Sequence, residues 1–378
     1  MKKSLRILFL CSWYPSRVLP TNGDFIQRHA EAVALMHKVV IIHVISDKNV
    51  VQNIEITDTI INNIRTLIAY VKPTKNPLIK YFRYKKAHKQ LLQKIKKIDI
   101  VHVHKLFPVG LIALKLKRNN KVPYIITEHH SRYHKPYNKQ IGFIEKMWSK
   151  IIVKNAFYIA PVSTDLGKSM QNFGLVGNYY TVPNVIDTTQ FLAKKETNNG
   201  IFNILHVSNM VALKNVKGIL KVIKKLESKI DDFHFYCIGG KADSYKKIAI
   251  ELGVNSNTIS FINQLPHNEL ISYFQNANVF VLFSQTENQP CVIPESFSCG
   301  TPVISTDVGG ISEYFPKGFG ILIEPNNEVE LLQAILKIHT AFNRKSPIKM
   351  HQYVTDNFGK QQICKEFTKL YLRTLKLN

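Results

Sequence analysis

The chain has 378 residues, about twice a typical domain, and 45% of them are apolar, enough for two ordinary α/β cores. Lys and Arg number 51 against 26 Asp and Glu, a formal net charge of +25, so an anionic partner is expected: nucleic acid, an acidic membrane surface or phosphate-bearing ligands. The five cysteines (Cys11, Cys237, Cys291, Cys299 and Cys364) are scattered without C-x-x-C spacing, which argues against a disulfide framework or zinc site and for a reducing compartment.

The opening MKKSLRILFLC imitates a secretory signal. Arg6 interrupts its short apolar run and no small-residue cleavage site follows, so Arg6–Cys11 reads as a first buried strand. Further β-rich runs come at Val39–Ser46, Ile100–His104, Tyr124–His129 and Tyr158–Ser163. A second series follows at Phe202–Ser208, Phe233–Gly239, Ile259–Asn263, Val279–Ser284, Pro302–Asp307 and Gly320–Glu324. Many are continuous apolar runs, as in strands buried on both faces of a parallel sheet. Helical periodicity lies between them, for example over Asp24–Met36 and His267–Ala277. The pattern predicts a doubly wound α/β architecture. The polar stretch Leu192–Gly200 separates the two series and is the expected linker, giving two Rossmann-like domains facing across a cleft. Ligands of such sheets bind beyond the carboxyl ends of the strands. A last helical pattern covers Gln361–Leu377.

No segment is apolar for long enough to span a bilayer, so the expectation is a cytoplasmic protein that can touch a membrane without crossing it. The segment Lys72–Lys97 has ten Lys or Arg and no acid, with Leu78, Ile79, Phe82, Leu91, Leu92 and Ile95 at roughly helical spacing. A helix is predicted there whose apolar stripe packs on the sheet while its lysines face an anionic surface.

Chemistry concentrates at the strand ends. Glu287 and Glu295, with seven residues between them, follow the run Val279–Ser284. Pro294 suits the first position of a helix, which sets Glu295 in a first turn where the dipole favours a negative charge. An ionised carboxylate accepts two hydroxyl donors at once, which suits vicinal diols; spacing alone also allows a hydrolytic pair or a mere dipole complement. Near Phe202–Ser208, the stretch HVSNMVALKNVKG offers Asn209, Lys214 and Lys217 to an anion. Gly23 lies in the loop after the first strand, with Asp24 as a helix-start residue. His129 closes Tyr124–His129 and His104 closes Ile100–His104, both at carboxyl ends. No His, Asp or Cys cluster has metal-ligand spacing, so no metal is expected.

The stretch ENQPCVIPESFSCGTPVISTDVGGISE resembles the signature of glycosyltransferase family 4, in which a Glu, seven residues and a second Glu precede a "cGtPV" strand and a "GG" turn. The resemblance implies a GT-B fold, with an N-terminal domain over 1–190, a nucleotide-sugar domain over 191–360 and a final helix over 361–378 packing back on the first domain. It implies retaining transfer from a nucleotide-diphosphate sugar to an acceptor hydroxyl, needing neither metal nor cofactor. Carried over, Glu287 contacts the transferred sugar, Glu295 the ribose and Lys214 the diphosphate. Asn209 stands where the family has an Arg. Pro290 replaces a frequent glycine, so amide donation falls to neighbours such as Cys291 and Val292. Gly23 approaches the donor phosphate, His129 lies near the transferred sugar, and the element Val182–Asp187 is architectural. The implied partners are a nucleotide sugar, a glycan or lipid-linked glycan acceptor in cell-surface polysaccharide synthesis, and an anionic inner-membrane surface through residues 72–97. A glycoside hydrolase, a nucleotide-sugar epimerase of the same fold and a basic nucleic-acid-binding protein are the rival readings; no nucleic-acid motif is present to favour the last.

Overall fold

A computed structural model describes residues 4–193, 200–341 and 346–376. The chain forms two compact units, Met1–Val185 with Lys360–Asn378, and Ile186–Gly359. Most of the expected linker, residues 194–199, lies outside the described residues.

The first unit runs β1 (Arg6–Cys11), α1 (Asp24–Ala34), β2 (Lys38–Ser46), β3 (Ile54–Ile61), β4 (Ile64–Val71), α2 (Pro77–Gln93), β5 (Ile100–His104), α3 (Gly110–Asn120), β6 (Tyr124–Glu128), α4 (Phe143–Asn155), β7 (Ile159–Pro161) and α5 (Thr164–Asn172). Its seven-stranded sheet has the order β3-β4-β2-β1-β5-β6-β7. Successive side chains of a strand point to opposite faces, and β1 shows the consequence. Leu8 and Leu10 join the core under α2, α3, α4 and α5, whereas Ile7, Phe9 and Cys11 join the core on the other face, with Ile26, Ala30 and Val33 of α1.

One edge of this parallel sheet is antiparallel, where β3 and β4 form a hairpin. Its two-residue turn is Asn62-Asn63, with φ of 48° and 62°. Two positive φ values fit the turn whose twist matches the flanking strands, and Asn tolerates that region better than most residues. Without β3 the strand order is the 3-2-1-4-5-6 of dinucleotide-binding sheets, which reverses direction between β1 and β5.

The expected packing of α2 is corrected. Asn76 caps the helix, its side chain accepting from the N–H of Leu78 and Ile79 at 2.9 and 3.2 Å. Leu91, Leu92 and Ile95 do pack on the sheet. Leu78 and Phe82 are 68% and 60% exposed, and Ile79 and Tyr81 are exposed as well. The stripe therefore divides: its second half is core, and its first half lies in solvent among Lys80, Arg83, Lys85 and Lys86.

The second unit runs β8 (Phe202–Ser208), α6 (Val216–Leu226), β9 (Phe233–Gly239), α7 (Ala242–Glu251), β10 (Ile259–Ile262), α8 (His267–Asn276), β11 (Val279–Leu282), α9 (Val292–Ser298), β12 (Val303–Thr306), β13 (Gly320–Ile323), α10 (Glu328–Ala341) and α11 (Pro347–Phe358). All its strand pairs are parallel. The order β10-β9-β8-β11-β12-β13 is again 3-2-1-4-5-6, reversing between β8 and β11.

The chain then returns to the first unit as α12 (Lys360–Lys376). Ile363, Phe367, Leu370 and Tyr371 of α12 are buried in the core that α1 covers. The Tyr371 hydroxyl lies 2.7 Å from His102 Nδ1, and Thr368 Oγ1 lies 2.9 Å from His37 Nε2. No described helix is long and apolar enough to cross a membrane.

Candidate active site

Each sheet presents its polar groups at the point where strand order reverses. In the second unit this point lies beyond β8 and β11. The loop after β8 makes a short turn over Ala212–Lys214, and Asn215 then adopts φ 47° and caps α6 by accepting from the Gly218 N–H at 3.2 Å. The Gln285 N–H donates to the Leu213 carbonyl at 2.8 Å, tying this loop to the one after β11. That bond brings Lys214 Nζ onto Glu287 Oε1 as a close ion pair. The same oxygen accepts from Ser284 Oγ at 2.7 Å, and Glu287 is 8% exposed. A carboxylate this buried is retained when it is paired and hydrogen-bonded, and both conditions are met.

Gly309 is the floor under Glu287. Its φ is +61°, and a Cβ there would stand 1.8 Å from the Glu287 carbonyl oxygen. The Gly310 N–H donates to the Asn288 carbonyl at 3.1 Å. Behind the site, buried His206 donates from Nδ1 to the Val281 carbonyl at 2.9 Å, and its Nε2 lies 2.8 Å from Ser208 Oγ. Burial lowers its pKa to about 4.

Pro294 does not open its helix: α9 begins at Val292, with Cys291 as its cap. Proline is accommodated one turn in because the first amides of a helix have no intrahelical acceptor. Glu295 is 2% exposed. Its Oε1 lies 2.9 Å from Nε2 of His267, the first residue of α8, and the His267 ring packs 4.9 Å from Phe191. His267 was not anticipated; the sequence PHNEL shows a helix start but no link to a residue 28 positions away. Cys291 and Val292 are partly exposed at the start of α9, and Asn209 and Lys217 are exposed.

In the first unit the corresponding point lies beyond β1 and β5. Gly23 is the cap of α1 with φ 79°, and a Cβ would stand 2.7 Å from the Trp13 carbonyl carbon, so only glycine fits. The indole of Trp13 carries Lys105 Nζ 4.0 Å from its ring centre and lies 5.1 Å from the His130 ring. Glu128, buried at the end of β6, organises the loops. Its Oε1 accepts from the N–H groups of His129 and His130 at 2.9 Å each, and its Oε2 from that of Leu106 at 2.8 Å. Burial raises its pKa against the pull of those three amides.

His129 is 9% exposed and stacks on His104, ring centres 5.6 Å apart and planes at 18°. Its Nε2 lies 3.3 Å from His104 Nδ1. Burial, then the neighbouring imidazoles of His29 and His102, hold its pKa well below the ordinary range, so it is neutral at pH 7. His29 of α1 completes a group of three, with one ring nitrogen of each within 4.8 Å of the others. No sequence spacing announces this group, because the residues are 75 and 25 positions apart and only the fold unites them.

Two family models cover most of the chain: "Glycosyltransferase Family 4" matches residues 25–190 and "Glycosyl transferases group 1" matches residues 187–353. An "uncharacterized glycosyltransferase" of Methanocaldococcus jannaschii is 30% identical over 64% of this chain and 65% of its own length. The chain thus spans just under two thirds of that relative. A "capsular polysaccharide biosynthesis glycosyltransferase" of Staphylococcus aureus is 27% identical over 70% of this chain and 77% of its own. Among solved structures, sucrose-phosphate synthase from Thermosynechococcus elongatus superposes with a TM-score of 0.79 at 18% identity, covering 99% of this chain and all of the other. An Anabaena protein in complex with UDP-glucose gives 0.73 at 15%, with the same coverage.

Two outcomes follow from the geometry. Gly309→Ala should lower the melting temperature, by an amount corresponding to about 1–3 kcal/mol, because strain and the clash with Glu287 act together; unchanged melting would refute the floor described here. Stability should also fall with pH. His43 and His206 are held neutral with pKa values of about 4 in the folded protein, mainly by burial, against about 6.5 unfolded. The unfolded state therefore binds more protons between those values, so this stability is present above pH 6.5 and is lost as pH falls towards 4. His206→Gln should flatten the slope of melting temperature against pH, and an unaltered slope would exclude that contribution.

Both family models, the two switch-point sites and the structural likenesses agree: the chain belongs to the family-4 glycosyltransferases with the GT-B fold.

Proposed function

We propose that the chain is a retaining glycosyltransferase. It moves a sugar from a nucleotide-diphosphate donor to a hydroxyl of a glycan or lipid-linked glycan, in the cytoplasm, for cell-surface polysaccharide synthesis, with no required metal or cofactor. The observation that carries this reading is the Lys214–Glu287 pair at the reversal point of the second unit's sheet. The Staphylococcus aureus relative named for capsular polysaccharide biosynthesis and the likeness to a UDP-glucose complex support it.

The chemistry follows from the charges. A nucleoside diphosphate leaves with negative charge, and a preorganised ammonium such as Lys214 stabilises it as the bond to the sugar breaks. Glu287 fixes that ammonium through one oxygen. Its other oxygen is the acceptor proposed for a sugar hydroxyl. Glu295 and His267 form an acceptor–donor pair for the ribose, and Cys291 and Val292 stand at the start of the same helix. Asn209, exposed on the same loop as Lys214, offers an uncharged donor where the family has a cation. In the first unit, Gly23 keeps the loop after β1 close to the backbone of Trp13. Neutral His129 is the group proposed to bond a hydroxyl of the transferred sugar.

The exposed half of α2 supports a peripheral membrane role. Leu78, Ile79, Tyr81 and Phe82 stand in solvent among basic residues, and each Lys or Arg near an anionic surface contributes about 1 kcal/mol.

Glu295→Ala should weaken nucleotide affinity about 10–100-fold, the equivalent of about 1.5–3 kcal/mol for hydrogen bonds to a charged group. Glu287→Ala should chiefly reduce turnover, by about 100-fold or more, because Lys214 loses its anchor. A thermal-shift screen of nucleotide sugars identifies the donor first. Nucleoside diphosphate should then be released only with acceptor present, and unchanged binding and kinetics in both variants would sink the assignment. Co-sedimentation with liposomes should rise with anionic lipid content and fall with salt; indifference to lipid charge would remove the membrane role.

A further inference from the structure

The buried histidines of the first unit have an arrangement that sugar transfer does not require. His29 comes from α1, His104 from the end of β5 and His129 from just past β6, and one ring nitrogen of each lies within 4.8 Å of the other two. The 3.3 Å between His104 Nδ1 and His129 Nε2 is close to the edge of about 3.4 Å between nitrogens around a tetrahedral zinc with bonds of about 2.0–2.1 Å.

His29 is oriented as metal-binding imidazoles are. Its Nε2 lies 3.1 Å from the Pro183 carbonyl; a carbonyl only accepts, so that nitrogen carries the proton. Its Nδ1 is then a bare lone pair, buried and with no hydrogen-bond partner in the structure. A ligating histidine donates its second N–H to a carbonyl or carboxylate in just this way, which fixes both tautomer and ring. Such a nitrogen forfeits the hydrogen bond it has in water, and a bound ion is one of the few explanations for it. Phe9, Phe25 and Phe367 hold the three rings, with centres 4.5 Å from His104, 4.7 Å from His129 and 5.3 Å from His29.

We propose that His29, His104 and His129 form a binding site for one divalent transition ion of the zinc or cobalt type, with a fourth position left for water. Three imidazoles without carboxylate or thiolate ligands favour such ions over magnesium or calcium. The ion is not a requirement for transfer. It holds the nitrogen of His129 that the sugar would otherwise meet, so it acts as an inhibitor; this consequence, unlike the binding itself, rests on the role proposed for His129.

The test is titration of the chelator-treated full chain with Co²⁺, followed by visible absorption and calorimetry. One ion per chain, the absorption bands of a tetrahedral site and displacement by Zn²⁺ are expected. His29→Phe and His104→Phe, which keep a ring in place, should each weaken binding by about 10–100-fold or more, with melting curves confirming that they fold. A wild-type chain without saturable one-to-one binding overturns the site whatever the variants do, and so does unchanged affinity in folded variants. Zn²⁺ at saturation should suppress turnover. Binding without inhibition would uphold the site and count against the contact of His129 with sugar.

Discussion

The ends of buried parallel strands impose the constraint on which both units rest. Inside the sheet the central strands are covered on both faces and their backbone is paired. At the carboxyl ends the chain must leave, and where strand order reverses, neighbouring connections leave towards opposite faces and open a crevice. Ser284, Glu287 and Lys214 stand at that point in the second unit, and Gly23, His104 and Trp13 at that point in the first. Nothing in the chemistry of a glutamate requires it to follow β11. The sheet order requires that whatever follows β11 and β8 be close together, and Glu287 and Lys214 occupy those positions.

The two sites differ in how they manage polarity. The second unit buries charge and satisfies it by pairing: ammonium with carboxylate, histidine with carboxylate, and hydroxyls on backbone carbonyls, as where Thr306 Oγ1 donates to the Ser284 carbonyl at 2.6 Å. The site of the first unit buries imidazoles and keeps them neutral, and the Glu128 carboxylate beside them in sequence is held by three amides. One site thus holds paired charges, and the other neutral imidazoles.

Much of this was legible in the sequence because buried parallel strands announce themselves as apolar runs. β1, β8 and β11 could be read directly, and the loops after them located Gly23, Lys214 and Glu287. β3 was not read, because an edge strand with Glu55, Thr57 and Asp58 carries no apolar run, and with it went β4, although Asn62-Asn63 was a turn signal. The helix around Glu295 was placed two residues late, since a proline is acceptable anywhere among the first unpaired amides. Partners far apart in the chain were invisible: His267 for Glu295, and His29 and His104 for His129. Local pattern specifies elements, whereas contacts between elements depend on the packing of whole layers.

The return of residues 360–376 to the first unit orders the folding of the chain during its synthesis. The face of the first sheet that carries Ile7, Phe9 and Ile41 is covered by α1 together with Phe367, Leu370 and Tyr371 of α12. The second unit has its own cores and its whole sequence by Gly359. The unit that comes earlier in the chain is therefore the later one to complete its core, and until α12 arrives α1 covers that apolar face only in part. That interval is when the nascent protein is most exposed to aggregation and most in need of a chaperone.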